Sequence, residues 1–254
     1  MILEVVNEQS TPNLSVIDRM ILMLFDLGIT NKKQIKTISG WNEHRINDAL
    51  KRIRKKGDGW LNSWQPRRGQ PHCYALGKEG FKYARELRGE FSNGKHDGPP
   101  RGGQTWHFLG LNQILCRCIE AGLGVEQWLS GRESASWIYY QLSTGDSDPK
   151  IPIKPDAMMA VNGQWFLVEY DTGTETTVRL SEKFSKYLTL SQTLGMDLPL
   201  LFVTVSEKRV NTAEWTFQRA LKNHTAKWDK VFFLTEGQEV EFLRGWNPEG
   251  FGTK

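Results

Sequence analysis

With 254 residues, 39% of them hydrophobic, the chain is long enough for two ordinary domains, each with its own core. Cys73, Cys116 and Cys118 are an odd number without metal-ligand spacing, which argues against both a disulfide framework and a zinc site. Neither a signal-peptide start nor an apolar run of membrane-spanning length is visible, so a cytoplasmic chain with no membrane partner is expected.

The net charge of +4 conceals an imbalance. Residues 1–88 hold 16 Lys and Arg against 9 Asp and Glu, whereas the other 166 hold 17 against 20. Within the basic part, residues 15–27 repeat apolar side chains at Ile17, Met20, Ile21, Leu24 and Leu27, a helical period that Gly28 ends. A shorter helix is expected over 30–38. Asn42 then caps a third helix reaching about Lys56, with Ile46, Leu50 and Ile53 inward and His44, Arg45, Lys51, Arg52 and Lys55 outward. Two strands, 60–64 and 72–76, flank a turn-rich tip bearing Arg67 and Arg68, and a helix over 78–87 follows. Helix, short helix, basic helix and hairpin together resemble a winged helix-turn-helix, in which the third helix enters the major groove and the wing touches the backbone. The charge favours double-stranded DNA over a protein partner, with those seven outward and tip residues as the contacts.

Residues 89–104, which include Gly98-Pro99-Pro100-Arg101, have the composition of a linker between a domain over 1–88 and another over 105–254. The second part reads as a helix over 106–120, a strand over 125–129, a segment over 132–140 and a polar loop over 143–150. A strand hairpin, a helix over 179–190, a strand over 200–205, a helix over 212–223 and a strand over 230–234 complete it. This alternation predicts a mixed α/β (α+β) fold with a sheet domain. Trp128, Trp137, Trp165, Trp215 and Trp228 sit in apolar settings and are expected in the core.

The hairpin carries the chemistry. Met158-Met159-Ala160-Val161 and Gln164-Trp165-Phe166-Leu167-Val168 flank Asn162-Gly163, the signature of a tight turn with positive φ. A two-residue turn sets Val161 opposite Gln164, and counting back sets Asp156 opposite Glu169. Asp171 falls on the same face by strand alternation, opposite Lys154. Facing carboxylates repel unless something positive sits between them. Mg²⁺ or Mn²⁺ is the favoured answer; Lys154 with a raised carboxylate pKa is the other.

A Pro-Asp on one strand, a Glu-x-Asp on the next and lysines on the following helix resemble the core of the PD-(D/E)xK nuclease superfamily. More narrowly, the winged helix with His107…Asn112, Glu133, Pro155-Asp156-Ala157, Glu169-x-Asp171-x-Gly173-Thr174-Glu175 and Lys183…Tyr187 resembles the replication-relaxation family of mobile-element proteins. The resemblance implies a restriction-endonuclease-like domain that nicks or cuts DNA. Asp156, Glu169, Asp171 and Glu133 would be metal ligands, and Lys183 would complete the catalytic set with the first three. The implied partners are DNA, a second copy of the chain, and replication or transposition proteins of the same element.

The chain departs from the nuclease pattern in one place, since Asp171 stands where lysine is expected. Lys183, Lys186 and Lys154 are the candidates to replace it. Glu175 and Thr174 are read chiefly as part of a helix-capping turn, His107 as a core residue, and Tyr187 and Tyr170 as minority candidates for a covalent nucleophile. The rival function is a catalytically inactive DNA-binding factor or transcriptional regulator with the α/β domain as a scaffold.

Overall fold

The computed structural model describes residues 2–90, 102–143, 150–195, 198–225 and 228–246. The chain is mixed α/β with two sheets, as the sequence predicts, and divides into two compact units, 1–120 and 121–254. Residues 91–101 of the expected linker and 144–149 of the expected loop lie outside the described residues.

The first unit comprises α1 (Ile2–Val6), α2 (Val16–Leu27), β1 (Thr30–Asn31), α3 (Lys32–Ser39), α4 (Glu43–Lys55), β2 (Leu61–Trp64), β3 (Cys73–Leu76), α5 (Lys78–Leu87) and α6 (Thr105–Glu120). Its strands form an antiparallel sheet in the order β1-β3-β2. Thr30 and Asn31, expected in the second helix, pair with Tyr74 and Cys73 instead. Asn31 is extended and its side chain caps α3, so the helix starts two residues late.

The α6 helix, which the sequence places at the head of the second domain, packs in the first unit against α3 and β1. Asn112 explains the attachment. Its buried amide donates to the carbonyls of Leu27 and Ile29 at 3.0 and 2.9 Å, satisfying one acceptor at the end of α2 and one just past it. Arg19 is a buried cation that the α2 pattern conceals: its guanidinium donates to the Val5 carbonyl at 2.6 Å and to Thr11, fastening α1 and its following turn.

The second unit comprises β4 (Val125–Ser130), α7 (Gly131–Leu142), β5 (Ala157–Val161), β6 (Gln164–Asp171), α8 (Thr177–Leu194), β7 (Leu200–Thr204), α9 (Glu207–Lys222), β8 (Val231–Thr235) and α10 (Gln238–Gly245). The sheet order is β4-β5-β6-β7-β8, antiparallel through β6 and parallel from β6 to β8. Buried runs in β5, β6 and β7 suit central strands covered on both faces. Phe184 of α8 meets Phe202, Phe217 and Phe233 with ring centroids 5.4–5.7 Å apart, joining helices α8 and α9 to the sheet.

Trp128 and Trp228 are buried as expected, and Trp137 stacks on Trp165 at 6.1 Å. Trp215 does not join them. It is 58% exposed, because its position on α9 lies outside the Val210, Ala213, Phe217 and Ala220 stripe that faces inward.

Candidate functional site

The hairpin has the register read from the sequence. Asn162 and Gly163 both take positive φ, 51° and 76°, and Val161 pairs with Gln164 and Ala157 with Val168. Asp156 stands one step beyond the last pair, where its carboxylate accepts the backbone N–H of Tyr170 at 2.9 Å. Glu169 and Asp171 lie at the carboxyl end of the central strand β6, beside the parallel β7. In open α/β sheets that end is where loops and helix starts leave room for ligands.

The lysine missing from the strand comes from α8. Lys183 donates to one oxygen of buried Glu169 at 2.8 Å and lies 3.0 Å from Glu175. The second Glu169 oxygen accepts from the Tyr187 hydroxyl one helical turn on. Burial pushes the Glu169 carboxyl up, the Asp156 charge adds to this, and Lys183 and Tyr187 pull back, leaving it raised to about 8. Burial opposes the Lys183 ammonium, but the fields of Glu169 and Asp156 outweigh it and hold the lysine protonated. The Lys183 ammonium is thus held between Glu169 and Glu175, with the Asp156 charge acting on both Glu169 and Lys183.

Asp171 does not join it. Its carboxylate accepts from Arg209 of α9 and from the Gly173 N–H, while its carbonyl accepts from Thr204 at 2.9 Å. Lys154 does not meet Asp171, because β5 begins only at Ala157 and leaves Lys154 exposed short of the strand. Glu133 closes a capping box on α7, its carboxylate accepting from the Ser130 N–H and hydroxyl at 3.0 and 3.1 Å. The start of α7 nevertheless lies close to the site: a Cβ on Gly131 would stand 3.0 Å from the Pro155 carbonyl and 3.1 Å from that of Asp156.

Glu175 takes no part in capping α8: Thr176 has that role and leaves Glu175 to meet Lys183. One Glu175 oxygen is buried with no hydrogen-bond partner among the described residues. Tyr187 is fully buried and burial drives its phenol well above its usual pKa, a poor setting for a nucleophile. Tyr170 turns away to Glu236 at 2.6 Å. His107 lies on α6 of the first unit.

In the first unit, His44, Lys51, Arg52, Lys55, Arg67 and Arg68 are exposed. Arg45 is half-buried, paired with Glu8 and lying over Trp41 at 4.3 Å, and Arg52 pairs with Asp48 at 3.7 Å. The Arg67 guanidinium lies 5.4 Å from the ring centre of Trp106.

Among the described residues, no three His, Cys, Asp or Glu side chains are grouped so as to hold a metal unaided. No helix among them is long and apolar enough to cross a membrane. A family model described as replication-relaxation matches residues 22–199. No curated protein and no solved structure matches the chain.

Proposed function

The chain belongs to the replication-relaxation family, and from that premise we infer a DNA-binding protein of a plasmid or other mobile element that acts in replication or relaxation through a nuclease-like site. The observation that carries this reading is Lys183 reaching Glu169 from α8 at 2.8 Å, with Asp156 coupled to both. It supplies two acids and a lysine although the strand itself lacks the lysine.

In the first unit, the order α2, β1, α3, α4 and the β2–β3 hairpin supports the winged-helix reading. The exposed basic side chains of α4 and the Arg67 and Arg68 tip would then lie against duplex phosphates.

The residues fit Mg²⁺ or Mn²⁺. Mg²⁺ is commonly held by one or two carboxylates together with water and substrate phosphate, so a cage of three protein ligands is not required. Asp156 and Glu169 would hold the ion, and the unpartnered Glu175 oxygen marks unmet demand for a cation or donor beside them. A bound ion supplies Lewis-acid polarisation of the phosphodiester and a more acidic water. Lys183, released from Glu169 to the phosphate, offers its ammonium to the charge that grows there. Arg209 keeps Asp171 and the Glu175 backbone in place and so fixes the loop leading into α8.

A second reading, a DNA-binding scaffold without catalysis, draws on Asp171 being committed to Arg209 and on Lys183 already neutralising Glu169. Supercoiled DNA incubated with Mg²⁺ or Mn²⁺ separates the two. Nicked or linear product from the native chain and none from Asp156→Ala/Glu169→Ala supports the nuclease; equal outcomes with both leave the scaffold.

A further inference from the structure

Two grooves flank the outer face of α8, one of them bordering the carboxylate cluster through Lys183. One, of about 440 Å³, is lined by Ile153, Lys154, Arg179, Glu182, Lys183 and Lys186. Its lining holds four cations against one carboxylate, and one of the four, Lys183, is already paired with Glu169 and Glu175. The other, of about 620 Å³, lies between α8 and α9, with Val178, Glu182, Lys186, Trp215 and Arg219 on its walls. Glu182 and Lys186 line both, so the grooves share a wall and follow one another across the helix.

Trp215 is the part of this surface that packing does not explain. Trp215 is 58% exposed, Val178 on the same groove is 66% exposed, and the Arg219 guanidinium stands 5.6 Å from the ring centre. An exposed aromatic ring next to a cationic groove is the combination that binds unpaired nucleotides, the ring stacking a base and the cations tracking the phosphates. A duplex keeps its bases stacked on each other, so only an unpaired base can lie on the indole.

We propose that this face of the second unit is a single-stranded DNA path, with Trp215 as the stacking platform, Arg219 and Lys186 on the adjoining phosphates, and Lys154 and Arg179 leading the strand to Lys183. The occupant is set by charge: the basic groove suits a polyanion. The proposal rests on the DNA-binding reading above and adds a site that the wing does not supply.

The test uses the full chain in EDTA, a fluorescein-labelled dT oligonucleotide of about 12 nucleotides and a duplex of equal length, read by anisotropy. Trp215→Ala is expected to weaken single-strand affinity by about fivefold or more, the worth of one stacked base, with Trp215→Phe restoring most of it. Lys186→Ala/Arg219→Ala should weaken it further and flatten its salt dependence, with duplex affinity unchanged. Single-strand affinity indifferent to Trp215→Ala, or lost only in Arg67→Ala/Arg68→Ala, overturns the proposal while duplex binding upholds the broader reading. A chain that binds neither form of DNA overturns both. A change in sedimentation on Trp215→Ala with unaltered DNA affinity assigns the face to a second copy, which also overturns it.

Discussion

The Lys183 ammonium stands 2.8 Å from a carboxylate oxygen of Glu169, bridging α8 and the end of β6 across fourteen residues of chain. Glu169 is buried and the Lys183 side chain is only 19% exposed, so above about pH 8, where the Glu169 carboxyl is ionised, removing one partner leaves a charge with little water to receive it. Lys183→Met is expected to destabilise the protein by about 3 kcal/mol, the lower end for a broken buried pair because Lys183 retains some solvent. Lys183→Met/Glu169→Gln should recover most of the loss. Urea denaturation midpoints measure both; a neutral Lys183→Met would show that the pair is not formed.

Arg209 holds two acceptors at once, the Asp171 carboxylate through Nε and the Glu175 carbonyl through Nη2 at 2.8 Å. Arg209→Ala would leave the Asp171 carboxylate buried beside only the Gly173 N–H, at a cost of about 3 kcal/mol. Lysine cannot reproduce the two-pronged contact, so Arg209→Lys is expected to restore less than half of the denaturation midpoint.

Glu169 also sets a pH dependence. Burial first, and the Asp156 charge second, raise its carboxyl from 4.5 to about 8. Between those values the folded chain binds more protons than the unfolded one, so this group's contribution to stability is complete below about pH 4.5 and is lost as pH climbs through 8. The thermal midpoint of the native chain should fall relative to that of Glu169→Gln from pH 5 to 8.5. Parallel curves for the two proteins would contradict the raised carboxyl.

For the first unit, duplex binding should weaken steeply with salt. Each phosphate contact contributes about 0.9 to the slope of log affinity against log salt concentration. Arg67→Ala/Arg68→Ala is expected to lower that slope by about 2 if both exposed side chains meet phosphate. Filter binding across a salt series measures it, and an unchanged slope removes the tip from the interface.

Much of this arrangement is legible in local signals. The Asn162-Gly163 turn and the alternation on either side set a register that needs no tertiary information, and that register brings Asp156 toward Glu169. The position of Lys183 next to the buried Leu180, Phe184 and Tyr187 stripe of α8 points it at the sheet. What stays hidden depends on partners remote in the chain. Asp171 reads as a ligand until Arg209, thirty-eight residues away, takes its carboxylate. Glu175 reads as part of a capping turn because no local pattern shows that Thr176 alone caps α8 and leaves Glu175 to reach Lys183. The attachment of α6 rests on two hydrogen bonds from Asn112 to carbonyls more than eighty residues earlier, which no periodicity records. Trp215 reads as core from its composition alone, and only the inward stripe of α9 shows that it points to solvent.

The most direct test of the account is isothermal titration of Mn²⁺ into the full chain, beside Asp156→Asn and Glu169→Gln. The account predicts saturable binding of one ion by the native protein, with release of protons as Glu169 gives up its raised carboxyl proton, and loss of that binding in both variants. No heat of binding to the native chain, or an isotherm unchanged by either substitution, would contradict it.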